Sequence, residues 1–92
     1  MQKEAAETIA IQVFGWMAAR DDIMGAFLDA AGSDAEAIRL RVQEPEFLGF
    51  LLDFLMTSDD MVLEFAQTNG HRPEALQAAR MALPGGDLPN WT

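Results

Sequence analysis

Cysteine is absent from these 92 residues, which excludes a disulfide framework, a thiolate nucleophile and a cysteine-ligated metal. Histidine occurs once, as His71, so any metal site would be left to carboxylates. Cations are scarce as well: six Lys and Arg stand against fifteen Asp and Glu, a formal net charge of −9. That balance repels phosphate backbones. Lys3, Arg20, Arg39, Arg41, Arg72 and Arg80 are scattered among acids and form no basic stripe, so no nucleic-acid partner is expected. Long apolar runs are missing too. Runs such as residues 47–52, with Gly49 inside, fall far short of the roughly 18 to 20 residues of a spanning helix, so no membrane partner is expected. No segment alternates with the period of a strand for more than a few residues.

Lys3 followed by IAIQVFGWMAA imitates the start of a secretory signal, but Glu4 and Glu7 interrupt the imitation. The same segment has helical periodicity and a counterpart later in the chain, so it is expected to be part of the folded protein. The cytoplasm is the expected compartment. With half its residues hydrophobic, a chain of this length fits one domain with a real core.

What is present is helical and doubled. Shifting the chain by 38 residues lays DDIMGAFLDAAGSDAEAIRLRV (21–42) over DDMVLEFAQTNGHRPEALQAAR (59–80), with six identities: Asp21/Asp59, Asp22/Asp60, Phe27/Phe65, Gly32/Gly70, Glu36/Glu74 and Ala37/Ala75. Average composition gives about one or two in such a window. The identities fall where helices need them, with acids at a start, an aromatic inside and a glycine at the stop. Upstream, Val13, Phe14, Trp16 and Met17 fall over Leu51, Leu52, Phe54 and Leu55. The expectation is an all-α bundle of about six short helices in one domain, residues 1–86, built of two three-helix units, 3–43 and 44–84, with a tail at 87–92.

In the first unit, Ala5, Ala6, Ile9, Ala10, Val13, Phe14 and Met17 recur at the three- and four-residue steps of one helical face. Asp21 or Asp22 is expected to cap a second helix carrying Ile23, Met24, Phe27 and Leu28 and ending at Gly32. Ser33 with Glu36 has the form of a capping box opening a third helix with Ile38, Leu40 and Val42. The second unit opens at Pro45, suited to a first helical position. Ser58 and Asp59 are expected to cap the fifth helix, which carries Met61, Val62, Phe65 and Ala66 and ends at Asn69-Gly70. Pro73 starts a sixth with Leu76, Ala79 and Leu83, ended by Pro84-Gly85-Gly86.

The chemistry-bearing side chains are few. Asp53 is the one carboxylate in FLGFLLDFLM, on a narrow polar stripe with Glu46, Gly49, Thr57 and Asp60. Such a group belongs at a solvent edge; the sharper alternative pairs it, desolvated, with an arginine at a ligand or partner site. Its counterpart in the offset alignment is Gly15, which suggests a close approach of another element there. His71, in NGHRPE beside Arg72, lies in a connection where binding residues collect, but no nucleophile or orienting partner accompanies it. No catalytic residue, metal ligand or cofactor site is assigned. The Asp21-Asp22 and Asp59-Asp60 pairs lack the spacing of a calcium loop.

Helix four carries Leu48, Leu51, Leu52 and Leu55 on one side and Phe47, Phe50 and Phe54 on another, so it either lies at the centre or leaves a face for a second copy or another protein. Trp91, in the tail LPGGDLPNWT, either folds back on the core or is presented to a partner. The segments AETIAIQVFGWMA, EPEFLGFLLDFLMTSDDMVLEFAQ and PEALQAARMALPGGD, with the late Trp91, resemble a family of small alphaproteobacterial proteins, domain of unknown function 3572, over nearly the whole chain. The resemblance implies a compact bacterial helical protein and brings no catalytic residue or ligand. The leading expectation is a non-enzymatic acidic module that binds a protein partner, or itself, through Phe50, Asp53, Phe54, His71, Arg72 or Trp91. The alternative is a ligand-binding protein or enzyme with a pocket between the two units.

Overall fold

Six helices follow one another with short connections in a computed structural model that describes residues 1–84. They are α1 (Lys3–Ala18), α2 (Asp21–Ala31), α3 (Ala35–Arg41), α4 (Pro45–Leu55), α5 (Asp59–Asn69) and α6 (Pro73–Ala82). No strand occurs among the described residues, and the fold is all-α. Helices of seven to sixteen residues are marginal by themselves, so shared burial must hold them.

The core is continuous. α1 packs chiefly against α4 and α6, and less extensively against α2. Ala6, Ile9, Ala10, Val13 and Met17 of α1 are buried, as the three- and four-residue spacing requires. Phe47, Leu48, Leu51, Leu52 and Leu55 of α4 face them from the same cluster, with Phe27, Ile38, Phe65, Leu76 and Leu83 closing it. A radius of gyration of 12.4 Å agrees with about 12 Å for a compact chain of this length.

Helix ends follow local chemistry, with three differences from expectation. Asp21 and Asp22 do not cap α2: the carbonyl of Arg20 accepts the first helical bond, from Met24 N–H at 2.8 Å, so both acids lie in the first turn. There they meet the positive end of the helix dipole. Asp59 likewise stands in the first turn of α5, whose cap is Ser58, its hydroxyl accepting from Met61 N–H at 3.3 Å. Asp34, and not Ser33, caps α3, accepting from Ala37 N–H at 2.9 Å. The reason is that Ser33 is already engaged in ending α2, donating its N–H to Leu28 O at 3.2 Å.

Gly32 and Gly70 close α2 and α5 with φ of 66° and 72°, the left-handed conformation that glycine adopts without strain. The bond after Gly70 runs from His71 N–H to Ala66 O at 2.9 Å. In α3 only Ile38 is buried, while Leu40, the other large apolar residue of the helix, is 79% exposed. Two residues on a helix turn through about 200°, so one face cannot hold both.

Candidate functional site

The second aromatic stripe on α4 is where the core reaches the surface. Phe27 of α2 is fully buried and touches three α4 rings, with centroids 5.9 Å from Phe47, 5.7 Å from Phe50 and 5.2 Å from Phe54. The Phe47 and Phe54 contacts are edge-to-face, a favourable arrangement for aromatic pairs. Phe50 completes the cluster but stays 38% exposed. Helix four is thus central on its leucine side and open to solvent at Phe50 on its phenylalanine side.

Beside Phe50 lies an open groove of about 350 Å³, lined by Ala30 and Ala31 at the end of α2, Arg41 at the end of α3, and Glu46, Phe47 and Phe50 of α4. The guanidinium of Arg41 lies 4.8 Å from the centre of the Phe47 ring and pairs with Glu44 at 3.6 Å. Small alanine side chains leave the space, the rings give it an apolar floor, and Arg41 and Glu46 give it charged edges. The elements come from both halves of the chain. Ala30, Ala31 and Arg41 carry no sequence signal, because only the tight α2–α3–α4 path brings them to Phe50.

Asp53 is both paired and exposed. Its carboxylate accepts from Arg80 Nε at 2.6 Å and Nη2 at 3.0 Å, a two-bond fork between α4 and α6. The Arg80 side chain is 17% exposed and that of Asp53 is 55% exposed, so the cation is the covered partner and the acid lies at the water's edge. Arg80 Nη1 also donates to Pro84 O at 3.1 Å. This arrangement needs Gly49, where a Cβ atom would stand 2.9 Å from Nη1 and 3.2 Å from Pro84 O. Gly15, expected to mark a close approach, is exposed with nothing within 4 Å of its Cβ position. The crowding is at Gly49 because α6 crosses there.

His71 is half-buried and held. Its Nε2 lies 2.6 Å from Gln12 Oε1 of α1, and its ring stacks on Phe65 at 5.8 Å. Phe65 in turn meets Trp16 edge-on at 6.0 Å, and Arg20 lies over Trp16 at 5.4 Å while donating to Glu64 at 3.0 Å. Gln12, Trp16 and Arg20 escaped the sequence reading, although Gln12 and Trp16 stand four residues apart on one face of α1 and Arg20 follows at the cap of α2. Together they tie α1 and the α1–α2 connection to α5 and to the turn that follows it. Arg72 stands exposed at the cap of α6, beside an open depression with Gly70, His71 and Glu74.

Asp53 and His71 therefore belong to separate constellations, and no hydrogen bond or ion pair joins them among the described residues. Among those residues no three His, Asp or Glu side chains come together as a metal site would require. No described helix is long and apolar enough to cross a membrane. Trp91 and the tail 87–92 lie outside the described residues.

Residues 3–86 match the family described as Protein of unknown function (DUF3572). The chain belongs to that family. The DUF3572 match contains all six described helices and the sequence Pro84-Gly85-Gly86 but stops before Trp91, one of the residues on which the resemblance was drawn. No curated protein and no solved structure matches this DUF3572 chain significantly.

Proposed function

We propose that this chain is a small non-enzymatic interaction module, and that a partner protein docks on the groove between α2, α3 and α4. The observation that carries the proposal is Phe50. A large aromatic ring in contact with a buried cluster, yet open to solvent beside an apolar groove, has the form of a binding hot spot. The His71 connection is the weaker candidate, since its ring is already engaged by Gln12 and Phe65. Asp53 and Arg80 are engaged with each other. A ligand site combining Asp53 with His71 would need groups that belong to separate networks.

We assign the module to the bacterial cytoplasm, with the absence of cysteine and the bacterial resemblance as support. Its two halves are proposed to be related three-helix units. The support is that Gly32 and Gly70, 38 residues apart, both end the second helix of their half in the same conformation.

Site-specific crosslinking tests the docking face. A photoreactive residue at Phe50 or Glu46 is expected to capture one partner in the host cell, while the same residue at the exposed Gln67 of α5 is not. Equal capture from all three positions, or capture from none, would count against the groove.

A further inference from the structure

The charge around the groove indicates what kind of segment it receives. Glu46 lines it, and Glu44 reaches its edge by pairing with Arg41. Against these two acids stands one cation, Arg41, which is partnered by Glu44 and lies against the Phe47 ring. With Arg41 engaged by Glu44, the exposed Glu46 has no ion-pair partner among the described residues and leaves that edge acidic. The whole chain, at −9, adds a long-range field of the same sign. About 350 Å³ is near the lower end for ligand pockets and suits one or two apolar side chains better than a large cofactor.

Building on the docking reading above, we propose that the groove binds a basic segment of another protein: one apolar anchor set between Ala30, Ala31 and Phe50, with lysine or arginine beside it facing Glu46. A second copy is disfavoured, because two surfaces of net charge −9 repel. An acidic segment would meet the same repulsion.

NMR titration of the labelled 92-residue chain tests this with two synthetic peptides that share a central leucine, one flanked by lysines and the other by glutamates. The lysine peptide is expected to shift the amides of Ala30, Ala31, Glu46 and Phe50 first, and to bind less tightly as salt is added. Glu46→Lys should weaken it by roughly three- to tenfold, the scale of a lost exposed ion pair plus a new repulsion. Phe50→Ala should weaken it further, with thermal melting showing both variants folded. Equal binding of the two peptides at the groove would overturn the basic partner and leave the docking face standing. Shifts centred on Asp59 and Asp60, or spread over the surface and unaffected by Phe50→Ala, would overturn the inference as general attraction to an acidic protein. Binding of neither peptide would overturn it too, and the crosslinking result would still judge the docking face separately.

Discussion

At Gly49 the absence of a single methyl group decides how α6 lies on α4. An alanine in the middle of a helix is ordinarily about 1 kcal/mol better than glycine. At Gly15 and Gly25, both helical and exposed with nothing within 4 Å, that preference should appear in full, so Gly15→Ala and Gly25→Ala are each expected to stabilise by about 0.5–1 kcal/mol. At Gly49 the added Cβ would press on Arg80 Nη1, which is fixed by the Asp53 fork, and on a backbone carbonyl. Gly49→Ala should therefore destabilise, and in an Arg80→Ala background it should become neutral or favourable. Urea midpoints at constant m-value would measure all of these. A stabilising Gly49→Ala in the otherwise native chain would show that the fork is loose. In FLGFLLDFLM the stripe gave Asp53 its solvent edge, and the alternative gave it an arginine without saying which. The partner lies 27 residues on, and only the packing of α6 identifies it.

Elements were more legible than the residues that tune them. Pro45 and Pro73 at first helical positions, Ser58 as a cap and Gly32 and Gly70 as stops are local chemistry, and local chemistry is written in neighbouring residues. The cap of α3 was off by one residue because Ser33 could serve either helix, and the ending of α2 takes it. Asp34→Ala should accordingly cost about 1 kcal/mol, the usual loss of a helix cap, whereas Ser33→Ala should change stability by less than about 0.5 kcal/mol. The reverse order in denaturation would restore the Ser33 capping box. The principal helix packings do not include α3, which is held mainly by the fully buried Ile38. Its amides are thus expected to exchange with solvent hydrogen faster than those of α1 and α4, as in a unit that opens without global unfolding. Protection of α3 equal to that of α4 would show instead that all six helices open together. A labile α3 matters to the groove, because Arg41 is its last residue.

For the molecule as a whole, charge is the property that sequence and fold express most directly. Arg20, Arg41 and Arg80 form ion pairs that engage Asp22, Glu64, Glu44 and Asp53. Most of the acids lie outside those pairs, and self-repulsion among them opposes the compact state. Adding salt at neutral pH should therefore raise the melting temperature from low ionic strength to about 0.15 M, where the Debye length is about 8 Å and distant repulsions are screened. If the ion pairs dominated, salt would lower it. The same repulsion should keep copies apart: sedimentation at low salt is expected to show a monomer at all concentrations tried, despite the open Phe50. Dimers that formed at low salt and were lost on Phe50→Ala would mean that apolar contact at the groove outweighs the charge, and the second copy would replace the basic segment as its occupant.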